Sequence, residues 1–311
     1  MSSLKAPPGD APAAALAGTA PGLKAALWML LACACFASMN GIVRHVAQEL
    51  PVLVVVFFRS AFGLIAMLPW LAGSGLASLK PGRPRLHAVR VALAVVAMTA
   101  WFYGLKHMPL AEATALSFTT PLFISVAAVV LLGEVMRARR WTATAIGFAG
   151  AMIILRPGLV EITDATLAVL LAAMLMAASQ ILVKLLSRVE HANATVFWLV
   201  LLMTPTSLVP ALAVWQTPDP GQLAWLAALG AIATIGHQSL ARSLRLADAT
   251  AVYPLDFTRL VFAALIGYLA FAEVPDVWTW IGGAVVMASS VYIAHREARL
   301  RRRAQPPAPE P

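Results

Sequence analysis

Ten stretches of this chain are apolar for long enough to cross a bilayer, at about 25–46, 51–72, 87–106, 111–133, 141–156, 165–186, 193–214, 222–243, 249–271 and 277–295. A spanning helix needs ~20 such residues, with a range of ~17–25. The fifth run is short, but Arg140 and Arg156 bracket it, and arginine stems snorkel to the membrane surface. In hydrocarbon, each backbone N–H and C=O must be satisfied within the protein, so such runs become helices. Composition agrees. Of the residues, 60% are hydrophobic and 12% charged, whereas a soluble domain carries about 25% charged residues. The fold class that follows is an all-α integral membrane protein of ten transmembrane helices.

Turn and charge signals separate the runs: Pro51, SLKPGRPRLH (78–87), Pro109, EVMRARR (134–140), RPGL (156–159), TPDPG (217–221) and EVPD (273–276). If the N-terminus lies inside, nearly all of the 23 lysines and arginines fall on the cytoplasmic side. Only Arg44, Lys106 and Arg156 lie outside, and Arg59 and Arg259 lie within spans. That bias predicts a multi-pass protein of the bacterial inner membrane with both termini cytoplasmic, and it requires an even number of helices. The net charge of +9 therefore reflects orientation in a lipid bilayer, and no nucleic-acid partner is expected. Residues 1–22 and 297–311 read as tails, the first rich in Ala, Pro and Gly, the second basic and Pro-rich. LLAC (30–33) looks like a lipoprotein cleavage box, but cleavage there would leave nine spans against the charge pattern, so the first helix is read as retained.

The chain also repeats itself. LAEATAL (110–116) returns as LADATAV (246–252), and FTTPLF (118–123) as FTRLVF (257–262), with a short insertion around 253–256. Glu134 then matches Glu273, and Trp141 matches Trp280. More weakly, Asn40 and Arg44 match Gln180 and Lys184. Each copy holds five spans, 23–160 and 161–296. An odd number of crossings inserts the copies in opposite senses, giving two inverted five-helix repeats, a pattern of secondary transporters.

These residues resemble the drug/metabolite transporter superfamily, in its ten-helix EamA-type branch. The resemblance rests on the two LA[ED]ATA openings, on LSFTTPLFISVAAVVLLGE (116–134) running into RRWTATAIGFAGAMIILRPG (139–158), and on LAFAE (269–273) before the last span. It covers about 25–295. It implies a carrier that moves a small metabolite, often amino-acid-like or cofactor-like, by alternating access, and it leaves the cargo open. The second copy departs from the first by reading DFTRL where the first has SFTTPL.

That departure places Asp256 and Arg259 inside a span. With a helix starting near Ala249 they lie ~10 and ~15 Å deep, three residues apart and so on one face. Arg59 lies ~12 Å in from the other surface. A central charge costs at least ~2.5–3.5 kcal/mol on insertion scales, so these groups must face protein or water. Two readings stand. In one, the charges line a midplane substrate cavity, with Arg59 and Arg259 drawing an anionic group and Asp256 meeting an amine, holding Arg259 or carrying a proton. In the other, Asp256 and Arg259 neutralise each other as a packing pair.

The remaining substrate-site candidates are Tyr253, Phe257, Trp101 and Phe118 as aromatic walls, Asn40 and Gln180 as repeat mates, Tyr103, and His237. Hydrogen bonding between helices is the alternative role for the amides. Glu134 and Glu273 end their helices against the dipole, so each is expected in an ion pair at the membrane surface. Pro121, Pro205 and Pro254 each interrupt a span. GFAGA (147–151) and GGA (282–284) predict close helix contact, within the bundle or between the subunits of a homodimer. Cys33 and Cys35 lie ~200° apart around a helix and read as packing residues. No catalytic residues, metal site or cofactor are expected. HExxH, GxSxG and phosphate-loop motifs are absent from the sequence. A channel-like pore and an integral membrane enzyme are the alternatives to a carrier.

Overall fold

The computed structural model describes residues 22–74, 83–133, 138–156, 161–186, 192–247 and 252–304. Among them the chain is helical, with α1 Leu23–Glu49, α2 Val52–Ser74, α3 Pro84–His107, α4 Leu110–Ser117, α5 Thr120–Leu132 and α6 Ala138–Leu155 in the first repeat. The second repeat holds α7 Asp164–Leu186, α8 Ala192–Leu212, α9 Pro220–Leu246, a 3₁₀ helix Tyr253–Phe257, α10 Thr258–Phe271 and α11 Val277–Ala304. Leu23–Glu49, Pro84–His107, Leu110–Val130, Asp164–Val183 and Pro220–Leu246 are each long and apolar enough to cross a membrane. Shorter apolar helices lie at Val52–Ala66, Trp141–Leu155, Trp198–Leu212 and Val277–Ile293.

The expected fourth and ninth spans are not continuous helices. The run 111–133 divides into α4 and α5, and the run 249–271 opens with the 3₁₀ helix before α10. Hydroxyls cause the first break. Ser117, Thr119 and Thr120 each donate to the carbonyl three residues back, at 2.7, 2.7 and 2.8 Å, which competes with the α-helical ladder. Pro121 and Pro254 lack an amide donor at the start of the segment that follows. Thr258 repeats the device, donating to Leu255 O at 2.7 Å.

Packing follows a twofold relation between the repeats. α1 lies on α9 just as its counterpart α7 lies on α3; α2 lies on α9 and α8 on α3; α1 lies on α10 and α7 on α5. The pairs α6–α11 and α2–α8 each join a helix to its own counterpart. Lipid is as apolar as leucine, so these contacts depend on close fit rather than on exclusion of water. Small residues supply the fit. A Cβ on Gly104 would lie 2.3 Å from Val169 Cγ2, and one on Gly282 would lie 2.6 Å from Gly150 O. The glycine-rich stretches of α6 and α11 thus serve contact within the bundle. Serines tie the same crossings, Ser289 donating to Ala143 O and Ser243 to Ala25 O.

Candidate functional site

The two broken spans meet each other. Phe118, between α4 and α5, and its repeat mate Phe257, at the end of the 3₁₀ helix, pack with ring centroids 6.0 Å apart. Ser290 of α11 donates to the Phe118 carbonyl at 3.3 Å, satisfying an acceptor at the break. Arg259, in the first turn of α10, lays its guanidinium over the Phe118 ring, 5.1 Å from the centroid. Its Nη2 is 3.3 Å from Asp256 Oδ2. Both side chains keep some exposure, 24% for Arg259 and 20% for Asp256. Arg259 Nε is buried with no hydrogen-bond partner. The Cys33 thiol of α1 reaches Asp256 Oδ1 and Leu255 O, each at 3.7 Å.

A second group of polar residues lies on α1 and α9, and α2 carries Arg59. Arg59 is half-buried, and no hydrogen bond or ion pair engages it among the described residues. His237 Nδ1 is 2.7 Å from the carbonyl of Ala233 one turn back. A carbonyl only accepts, so Nδ1 carries the proton and a neutral ring leaves Nε2 as acceptor. The His237 ring stands edge-on to Phe36, with centroids 5.0 Å apart. Cys33, Phe36 and Asn40 lie at i, i+3 and i+7, one stripe of α1. Asn40 itself accepts from Trp101 Nε1 at 3.4 Å and is buried.

Of the residues singled out from sequence, Asp256, Phe257 and Arg259 come together at the seam. Asn40 is engaged with Trp101. Tyr103 is exposed on α3 against His107, with ring centroids 4.3 Å apart, and Gln180 is exposed on α7. The Tyr253 side chain and Glu134 lie outside the described residues. Glu273 does form an ion pair, with Arg44 at 2.5 Å. Phe118, read from the sequence as an aromatic wall, sits at the seam, while Cys33 and Phe36 gain a place at these clusters. The sequence marks Phe118 through its match to Phe257, and marks the other two only by their spacing toward Asn40. Among the described residues no three His, Cys, Asp or Glu side chains cluster as metal ligands.

The chemistry offered is a cation at Arg59 without a counter-ion among the described residues, a donor–acceptor couple at Arg259 and Asp256, and a pair of aromatic faces beside that couple. Comparison with known proteins matches the chain to the EamA-like transporter family twice, over residues 23–156 and 164–294. A riboflavin transporter of Rhizobium johnstonii is 35% identical over 281 residues, 89% of this chain and 93% of its own. A riboflavin transporter of Vibrio cholerae is 34% identical, over 90% of this chain and 96% of its own. An S-adenosylmethionine uptake transporter of Rickettsia prowazekii is 31% identical, over 88% and 92%. A solved crystal structure with 18% identity superposes with a TM-score of 0.60, over 90% of this chain and 99% of that one, and so shares the fold.

Proposed function

Because this chain belongs to the EamA-like transporter family, we propose that it carries a cofactor-like metabolite across the bacterial inner membrane by alternating access. The cargo class is a planar heteroaromatic ring with a polar or ionised tail, as in the molecules for which its riboflavin and S-adenosylmethionine relatives are named. The two repeats rock about the seam where Phe118 meets Phe257, exposing the site to one side and then the other. Both termini face the cytoplasm.

The observation that carries this reading is the stack of Arg259 on Phe118, with Asp256 at its edge and Phe257 alongside. A guanidinium and two rings form a flat, polarisable surface that receives another flat ring by stacking. The Arg259–Asp256 couple adds hydrogen bonds that select the ring's polar edge. Arg59, with no counter-ion among the described residues, meets an anionic or strongly accepting group on the tail. The packing-pair alternative is less well supported, because a pair held at 3.3 Å with both side chains partly accessible leaves donor capacity that a purely structural pair would use.

Uptake of radiolabelled riboflavin and of S-adenosylmethionine into proteoliposomes tests the proposal. Saturable uptake of at least one is expected, with a drop in apparent affinity of tenfold or more in Arg259→Ala and in Phe118→Ala, about 1.4 kcal/mol per tenfold. Uptake of neither by correctly inserted protein, or full affinity in both variants, would refute it.

A further inference from the structure

Away from the seam, on the side that the loop charges assign to the exterior, the two repeats are tied together by one polar knot. Arg44, near the end of α1, places Nη2 2.5 Å from Glu273 Oε1. Its Nη1 donates to Leu105 O at 3.1 Å and to Met108 O, both at the α3–α4 junction. Its guanidinium also lies over the Phe271 ring at 5.2 Å. The second carboxylate oxygen of Glu273 accepts from the backbone amide of Leu110, the first residue of α4, at 2.9 Å. Glu273 belongs to the second repeat, while Arg44, Leu105, Met108 and Leu110 belong to the first.

We propose that Arg44 and Glu273 form the outer latch of the carrier, closed in this structure and parted each time the site opens outward. Four features support a latch rather than a general brace. The carboxylate caps the N-terminus of α4, so releasing it frees the broken span that carries Phe118 at its other end. Glu273 follows Ala272, which ends α10 in the left-handed region, so the acid sits on a sharp turn and not along a rigid helix. Side-chain exposures of 17% for Arg44 and 12% for Glu273 put the pair just under the surface. Separation would let water reach both charges, so the contact holds firmly yet opens reversibly. Finally, Gly267 is shaped to the acid, since a Cβ there would lie 2.8 Å from Glu273 Oε2. A neighbouring tie of the same sense joins Arg156, at the end of α6, to Asp276 at 2.5 Å.

The inference rests on the carrier reading for its two access states, but its test needs no cargo. Spin labels at His107→Cys and Val277→Cys, exposed positions on either side of the knot, are placed in a background lacking Cys33 and Cys35. Double electron–electron resonance then reads the distance across the outer mouth. The unaltered latch should give one short population. Glu273→Gln and Arg44→Gln should add a longer one, with Arg44→Lys intermediate, because a lysine keeps the charge but cannot fork between a carboxylate and two carbonyls. Gly267→Ala changes no charge yet displaces the carboxylate, so it should shift the distribution the same way and keeps the question answerable if a charge variant fails to insert. A distribution unchanged in the inserted variants would overturn the latch. Absence of riboflavin binding to the protein with Cys33, Arg44 and Glu273 in place, with these shifts intact, would overturn the cargo and leave the latch standing.

Discussion

Ala272 holds a backbone conformation that its repeat mate assigns to glycine. It ends α10 at φ 55°, ψ 30°, while Gly133 ends α5 at φ 65°, ψ 23°. A left-handed conformation costs an L-residue ~1–2 kcal/mol, and glycine nothing. Glycine also loses ~0.4–1 kcal/mol by loosening the unfolded chain. Ala272→Gly should therefore stabilise the purified protein by up to ~1 kcal/mol, seen as a higher melting temperature in detergent; a lower one would mean that the turn depends on the methyl group. The same scale decides what the sequence could reveal. Asp256, Arg259 and Arg59 announce themselves because an ionised group in an apolar run has a large transfer penalty to explain. Cys33 and Phe36 carry no such mark, since a small or aromatic side chain in a span reads as packing until its neighbours are known. Tyr103 misleads in the opposite way: it is polar within a span, and its place against exposed His107 depends on which side of α3 meets α7.

At the scale of elements, run lengths locate the spans, but only geometry divides the fourth and ninth. Pro121 and Pro254 are legible as interruptions; the hydroxyl bonds of Ser117, Thr119, Thr120 and Thr258 that set where each helix stops depend on rotamers. The crossing of α6 and α11 shows how much rests on absent atoms. A Cβ at Gly282 would lie 2.5 Å from Ile154 Cγ1 and 2.6 Å from Gly150 O, whereas among the described residues nothing lies within 4 Å of one at Gly63 in α2. Gly282→Val should cost ~1–3 kcal/mol by overpacking and lower the yield of monodisperse protein. Gly63→Ala should gain ~0.5–1 kcal/mol of helix propensity. Equal melting temperatures for the two variants would place the α6–α11 contact elsewhere.

For the whole molecule, the repeat was readable because LAEATAL and LADATAV, and FTTPLF and FTRLVF, keep their order across two five-span halves. The twofold packing of α1 on α9 and α7 on α3 is what oppositely inserted halves produce. What the halves enclose was less readable, because the stack of Arg259 on Phe118 joins residues from different repeats. Orientation follows from charge: reporters fused ahead of residue 1 and after residue 311 should both register the cytoplasm, and opposite readings would require an odd number of crossings. Flavin fluorescence tests most directly whether the seam between the repeats is the cargo site. Riboflavin titrated with purified protein should be quenched saturably as its ring stacks on Phe118 and Arg259, and Phe118→Ala should abolish the quench while the protein stays folded. Saturable quenching of equal affinity in Phe118→Ala would contradict the account.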